Sequence, residues 1–221
     1  MKKNLTEMVF ILDRSGSMHS LTADTIGGFN SMIENQKNEP GEAYVTTVLF
    51  DDQYELLHNH VNIKDVKPIT TEYYARGCTA LLDAVGKTIN SVGARLSETP
   101  EDERPEKVIF IITTDGMENA SLEFTKAKIK EMIEHQQNKY SWVFMFLGAN
   151  MDAVSEASSL GINTNFARTY TASTVGTKSV YNSVDGAIAS IRAVDLDEID
   201  CLSSSVQAAY CCAASALDSV K

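Results

Sequence analysis

Three oxygen-bearing side chains alternate along one short loop near the start of the chain. Asp13, Ser15 and Ser17 occupy every second position and directly follow an apolar run. An extended turn can point all three side chains towards one centre, and carboxylate and hydroxyl oxygens suit a hard divalent cation. The spacing therefore predicts a metal-binding loop.

Two more oxygen donors stand beside regular elements later in the chain. Thr79 precedes a segment of helical periodicity, and Asp115 follows the most strand-like run. Gly16, Gly77 and Gly116 adjoin the donors, and glycine can take the positive φ that a tightly wrapped loop requires. The predicted metal ligands are Asp13, Ser15, Ser17, Thr79 and Asp115. Mg²⁺ is the expected ion, with Mn²⁺ and Ca²⁺ as alternatives, because the set combines few carboxylates with an open position.

The runs that precede the two aspartates are typical of strands buried on both faces of a sheet. Residues 8–12 end at Asp13, and residues 108–112 end shortly before Asp115. Residues 44–50 and 54–61 are predicted to form a hairpin, since so short a connection permits only antiparallel neighbours. The parallel strands would therefore be flanked by one antiparallel edge strand.

Apolar residues at helical spacing follow most of the predicted strands. One such helix would bury Leu122, Ile129 and Ile133, and Ser173 or Thr174 would cap a long final helix. Alternating strands and helices predict an α/β fold, with a doubly wound, Rossmann-like, mostly parallel sheet and helices on both faces. Ligands of such folds bind at the carboxyl edge of the sheet, where both aspartates fall.

Composition narrows the range of partners. The chain has 221 residues, 43% of them hydrophobic, which is enough for one sizeable core. Its formal net charge of -11 argues against nucleic acid, whose binding depends on clustered lysine and arginine. No run approaches the roughly 20 apolar residues of a membrane span, and no secretory signal is recognisable, so we expect a cytoplasmic protein without a membrane partner.

The end of the chain differs in composition from the rest. Residues 1–195 are predicted to form one domain, and residues 196–221 are acidic and then rich in alanine, serine and cysteine. We expect this last segment to be a C-terminal helix or a flexible tail.

The order and spacing of the donors resemble a known family. Asp13-x-Ser15-x-Ser17 after the first strand, Thr79 before a middle helix and Thr114-Asp115-Gly116 after the long apolar strand are similar to the metal-ion-dependent adhesion site (MIDAS) of von Willebrand factor type A (vWA) domains. The resemblance covers roughly residues 8–194 and points to the soluble bacterial members of the family.

The resemblance implies a binding function instead of catalysis. The five ligands would hold Mg²⁺ directly or through water, and an Asp or Glu of a protein partner would complete the coordination. Relatives of this kind often act as adaptors, for example beside AAA+ ATPases or in stress-resistance systems. No residue of this sequence selects among such partners.

Two other functions remain as alternatives. A metal-dependent hydrolase or phosphatase could use an aspartate after the first strand, but position 15 is Ser where an Asp-x-Asp phosphatase carries its acid. Phosphate-loop and Gly-x-Ser-x-Gly motifs are also missing from the sequence. The second alternative is an interaction module that needs no metal, although all five positions carry oxygen donors.

Several polar side chains near these motifs are expected to have ordinary structural roles. Asp51 and Asp52 are predicted to form a solvated hairpin turn, and His58 and His60 lack a third ligand for zinc. Cys78 has no histidine placed to activate it and is expected to pack in the core. The sequence gives no sign of a disulfide framework, so its four cysteines are predicted to be free thiols.

Two polar residues follow Asp115 closely enough to lie near the site. Glu118 and Asn119 could line its rim, but a charged residue near a helix start more often interacts favourably with the helix dipole. Neither is included in the predicted ligand set.

Overall fold

The computed structural model describes residues 1–194, which form six strands and five α-helices. The strands are β1 (Lys2–Asp13), β2 (Glu42–Phe50), β3 (Tyr54–Asn62), β4 (Pro105–Thr114), β5 (Val143–Ala149) and β6 (Ala167–Tyr170). The helices are α1 (Thr22–Lys37), α2 (Leu81–Glu98), α3 (Lys126–Tyr140), α4 (Ala153–Ser159) and α5 (Thr174–Ala193). Residues 195–221, which include the predicted helix or tail, lie outside the described part.

The strands form one sheet in the order β3-β2-β1-β4-β5-β6. All neighbours are parallel except β2 and β3, which pair antiparallel at one edge. The chain winds from β1 outwards to β2 and β3, then returns to the other side of β1 with β4. The predicted doubly wound, mostly parallel sheet with one antiparallel edge strand is thus confirmed, and β1 and β4 flank its topological switch point.

Helices cover both faces of the sheet, because the central strands are apolar on both sides. Helices α1 and α5 pack on one face through residues such as Phe29 and Val184, which are fully buried. Helices α2, α3 and α4 pack on the other face around Val85 and Ile129. Buried side chains on both faces explain why the strands carry continuous apolar runs without alternation.

The predicted strands and helices are present within residues 1–194, but not every side chain expected to be buried is buried. Ile129 and Ile133 are buried as predicted, and the Ser173 side chain caps α5 by accepting a hydrogen bond from the Gly176 amide. Leu122, however, is 95% exposed, because α3 begins only at Lys126. Within residues 1–194, no helix has both the length and the apolarity to cross a membrane.

Candidate metal centre

The predicted ligands lie together at the carboxyl edge of the two central strands. Asp13 is the last residue of β1, and Asp115 directly follows β4, its parallel neighbour. Thr79 lies two residues before α2 and is held to the loop after β4, where Asn119 bonds both its amide and its carbonyl. The Gly77 carbonyl accepts from the Gly16 amide at 3.2 Å, which joins the Thr79 segment to the first loop.

The side chains form a chain of short polar contacts. One Asp13 carboxylate oxygen accepts from the Ser15 amide at 2.6 Å, and the Ser15 and Ser17 hydroxyl oxygens are 3.1 Å apart. The Ser17 hydroxyl donates to Asp115 Oδ1 at 2.5 Å. Four of the five predicted ligands are therefore linked in a continuous series.

Gly116 brings the fifth ligand into the same space. A Cβ on Gly116 would lie 2.9 Å from Thr79 Oγ1, 3.5 Å from Ser17 Oγ and 3.8 Å from Ser15 Oγ. Three hydroxyl oxygens thus converge where any side chain at position 116 would stand. Gly116 and Gly16 do not have the positive φ expected for them, whereas Gly77 does, at 67°. At Gly116 the absence of a side chain matters for space, not for backbone conformation.

The donor spacing suits a small divalent cation. Adjacent oxygens of an octahedron with metal–oxygen bonds of about 2.0–2.1 Å are separated by about 2.9 Å. The observed separations of 2.5 and 3.1 Å along Ser15, Ser17 and Asp115 bracket that value. No group of three or more His, Cys, Asp or Glu side chains that could hold a metal occurs within residues 1–194, so hydroxyl oxygens are essential to this donor set.

Burial is graded across the site. Asp13 is fully buried, Ser15 and Thr79 are 2% and 3% exposed, Asp115 is partly buried and Ser17 is exposed. Burial raises the pKa of Asp13 to about 6, although Thr114 and Ser15 hydrogen bonds lower it and the nearby Asp115 carboxylate raises it. Burial also raises the pKa of Asp115. Two carboxylates in a desolvated site favour a counter-cation.

Two residues outside the predicted ligand set orient the Asp13 end of the loop. The Thr114 hydroxyl donates to the second Asp13 carboxylate oxygen at 2.6 Å, and the Tyr73 hydroxyl donates to the Asp13 backbone carbonyl. Thr114 belongs to the motif that indicated Asp115, so the sequence contained a signal for it. Tyr73 is 60 residues away from Asp13 and has no local signal.

Asp51 does not form the solvated turn that its sequence predicted. Its side chain is fully buried and accepts from Arg14 Nε at 3.0 Å and Arg76 Nε at 2.6 Å. Arg14 lies between the predicted ligands Asp13 and Ser15 and is itself fully buried. Asp51 therefore pairs with two guanidinium groups behind the predicted metal-binding loop, and Arg14 also donates to Glu55 at 2.7 Å. Asp52 is exposed as expected.

Two acidic side chains fasten the loop after β4 to the start of α2. Glu118 accepts from the backbone amides of Leu82, Ala120 and Ser121, and Asp83 accepts from those of Leu122, Glu123 and Phe124. The Ala80 N-cap of α2 supplies no side-chain bond, so Glu118 satisfies one of the free amides. Glu118 thus lies at the start of α2, not at the start of α3, the helix that follows it in the chain. Asn119 contacts Thr79 backbone atoms.

The two histidines of β3, His58 and His60, have different surroundings. His60 stacks on Tyr44 and its Nδ1 lies 2.6 Å from the buried Glu7 carboxylate. His58 Nδ1 is buried and has no hydrogen-bond partner among residues 1–194. Cys78 is exposed, so the expectation that it packs in the core is wrong. Its neighbour Gly77 turns the chain with a positive φ, which leaves Cys78 on the surface.

Comparison with known proteins gives structural but not sequence relatives. The sequence matches no protein-family model and no curated protein. The vWF domain of the type V pili tip protein Mfa5 from Porphyromonas gingivalis aligns with a TM-score of 0.59 at 9% identity, over 83% of this chain and 94% of that domain. A von Willebrand factor type A protein from Catenulispora acidiphila aligns with a TM-score of 0.55 at 12% identity, over 83% and 42% of the two chains.

The chain has a von Willebrand factor type A fold. Proximal thread matrix protein 1 from the mussel byssus also aligns, with a TM-score of 0.58 at 16% identity over 86% of this chain. This chain spans about half of that protein, 47% of its length. One structure of the same mussel protein is described as having a zinc-occupied MIDAS motif; it aligns with a TM-score of 0.56 at 18% identity.

Proposed function

We propose that the chain is a divalent-metal-dependent protein-binding domain that acts as an adaptor. Asp13, Ser15, Ser17, Thr79 and Asp115 would hold the ion, with Mg²⁺ as the expected metal. The observation that carries the proposal is the convergence of three hydroxyl oxygens on the space above Gly116, next to two carboxylates in a desolvated site.

The graded burial of the donors supports a role in recognition. Asp13, Ser15 and Thr79 form a buried floor, and Ser17 and Asp115 leave one side open to solvent. A bound Mg²⁺ would keep residual positive charge at this open side and would attract an Asp or Glu of a partner protein. Thr114 and the Ser15 amide fix both oxygens of Asp13, so the floor is ordered before any partner arrives.

The structural relatives support the class of function by analogy of fold alone. Their names include a pilus tip protein and a thread matrix protein, and one of them has a zinc-occupied MIDAS. Two further parts of the proposal stay predictions. One is a partner from an AAA+ ATPase or stress-resistance system, and the other is the cytoplasmic location of this chain. A non-enzymatic role belongs to the proposal and stays a prediction.

The test is a thermal unfolding titration with Mg²⁺ and Mn²⁺ after chelation, at constant ionic strength. A ligand that binds only the native state stabilises it by about 2.7 kcal/mol at a hundredfold excess over its Kd. The wild type should melt at higher temperature as metal is added, whereas Asp13→Ala should not respond. Asp102→Ala, which removes an exposed carboxylate near the opposite edge, is the matched control and should respond like the wild type.

Asp13→Asn covers the case in which Asp13→Ala fails to fold, because the amide keeps the shape of the side chain and removes its charge. If the wild type does not respond to either metal, the proposal fails and the metal-free interaction module becomes the better hypothesis. If Asp13→Asn responds as strongly as the wild type, Asp13 is not a ligand.

A further inference from the structure

Exposed apolar side chains concentrate on the edge of the molecule that carries the candidate metal centre. Of eight large apolar side chains exposed within residues 1–194, five lie in segments at the carboxyl edge of the sheet. Scattered exposed apolar residues are normal, but a concentration on one face is typical of an interaction surface. These five are Tyr74, Met117, Leu122, Val154 and Val175.

Three of the five stand closest in the chain to the proposed ligands, and we call them the apolar rim: Tyr74, Met117 and Leu122. Met117 is 76% exposed and follows Gly116, the residue around which the three hydroxyls converge. Leu122 is 95% exposed on the same loop. Tyr74 is 47% exposed, and its ring lies 5.5 Å from the guanidinium carbon of Arg14, inside the metal-binding loop.

The loop that carries Met117 and Leu122 is fixed by its backbone. Asp83 accepts hydrogen bonds from the Leu122, Glu123 and Phe124 amides at 2.9 to 3.0 Å. With its backbone held in this way, the loop cannot turn the Leu122 side chain into the core without losing these bonds. The apolar side chain is therefore held in solvent, and such preorganisation lowers the entropic cost of binding.

Tyr74 is fixed in a comparable way. Its hydroxyl accepts from Arg76 Nη1 at 2.7 Å, and the Arg76 guanidinium carbon lies 5.0 Å from the ring centre. Arg76 in turn pairs with the buried Asp51. Both sides of the candidate site thus present an apolar surface on an ordered backbone.

Charge around the rim limits what the partner can carry. Asp52, near Gly77, is exposed, and so is Glu123, next to Leu122, although Glu123 pairs with Lys87 at 2.7 Å. The whole chain has a formal net charge of -11. A carboxylate seated on the metal would be attracted, but further acidic residues beside it would be repelled by this surface.

We infer that the partner presents a single Asp or Glu flanked by apolar residues, so that the carboxylate meets the metal and its neighbours pack on the apolar rim. This inference rests on the proposed function and adds the chemistry of the partner. It excludes an acidic run as the preferred ligand.

The experiment uses a random 12-residue peptide library displayed on phage. Phage are bound to the full chain in Mg²⁺ and eluted with EDTA, and the eluted peptides are sequenced and synthesised. Their affinity is then measured for the wild type, for the double variant Met117→Ser/Leu122→Ser, and for Tyr140→Ser as control. Tyr140 is 50% exposed at the end of α3, on the opposite edge of the sheet. Thermal unfolding with Mg²⁺ is recorded for each protein.

The expected peptides contain one acidic residue with apolar neighbours. The double variant should bind them about tenfold more weakly or worse, and its Mg²⁺-induced rise in melting temperature should equal that of the wild type and of Tyr140→Ser. Enrichment of acidic runs, unchanged affinity in the double variant, or no enrichment despite a clear Mg²⁺ effect would each overturn the inference and leave the metal site standing. Absence of any Mg²⁺ effect on the wild type would instead overturn the proposed function itself.

Discussion

At the scale of single residues, the candidate site depends on hydrogen bonds that fix the positions of its donor oxygens. Both oxygens of Asp13 accept hydrogen bonds, one from the Ser15 amide and one from Thr114 Oγ1. The sequence predicts Asp13 and Asp115 as ligands because each follows an apolar run. It could not identify Tyr73, since a hydrogen bond to a residue 60 positions away leaves no local pattern.

The residues of buried ion pairs were the hardest to place from the sequence. Asp51 follows a strand in a stretch of polar residues, which is typical of an exposed turn. Its burial depends on Arg14 and Arg76, which come from two other segments. A buried carboxylate needs such partners, and only the folded chain brings them together.

Gly116 offers a sharp test at this scale, because space and not backbone conformation fixes its identity. In Gly116→Ala the new methyl group would stand 2.9 Å from Thr79 Oγ1, in the space proposed for the metal. Overpacking of this kind costs about 1–3 kcal/mol, so we expect the Kd for Mg²⁺ to rise about tenfold or more. Isothermal titration calorimetry of the variant and the wild type measures this.

A matched control for Gly116→Ala comes from α2. A Cβ on Gly93 would meet nothing within 4 Å, so Gly93→Ala should leave Mg²⁺ affinity unchanged and stabilise the helix by about 0.5–1 kcal/mol. Equal Mg²⁺ affinity in Gly116→Ala and Gly93→Ala would mean that the ion does not occupy the space above Gly116.

At the scale of helices and strands, most of the fold could be predicted from the sequence. The period and the length of an apolar segment distinguish a strand from a helix. The continuous runs of β1 and β4 and the helical spacing of α5 are local properties. The start of α3 was predicted too early, so Leu122 was expected inside. Leu122 is exposed because its loop is held by hydrogen bonds to Asp83. Asp83 lies in α2, about 40 positions earlier in the chain.

The Asp83 contacts predict how the loop after β4 responds to substitution and pH. Asp83 is only 8% exposed, and Asp83→Ala would leave three backbone amides without their acceptor, at a cost on the order of 3 kcal/mol in unfolding free energy. Chemical denaturation measures the loss. The exposed Asp102 again provides the control, since Asp102→Ala should change stability by less than about 0.5 kcal/mol.

The pH dependence of this contribution has a defined sign. Burial raises the pKa of Asp83, but the three amide hydrogen bonds outweigh it, so the net pKa is lowered. Stability from Asp83 is therefore fully present above the ordinary carboxylate pKa and is lost as pH falls through the lowered value. The difference between wild type and Asp83→Ala should shrink in acid. A difference that grows towards low pH would show that Asp83 acts in its protonated form.

At the scale of the whole molecule, the doubly wound sheet explains why distant segments make one site. Neighbouring parallel strands β1 and β4 end at the same edge, so Asp13 and Asp115 meet although about a hundred residues separate them. The same edge carries the loops with Met117, Leu122 and Tyr74. The proposed metal ligands and the exposed apolar residues thus share a face without any sequence motif that includes both.

The net charge of the whole chain predicts that any salt raises the melting temperature. This non-specific effect must be distinguished from stabilisation by metal binding. A formal charge of -11 destabilises the compact state through self-repulsion, which added ions screen. In EDTA, raising NaCl should increase the melting temperature of the wild type and of Asp13→Asn. At fixed ionic strength the variant should not respond further to Mg²⁺. Thermal unfolding of both proteins in NaCl and MgCl₂ of matched ionic strength separates the two effects. A Mg²⁺ response that NaCl reproduces in the wild type would assign the stabilisation to screening, whereas a surplus found only in the wild type would assign it to the site built on Asp13.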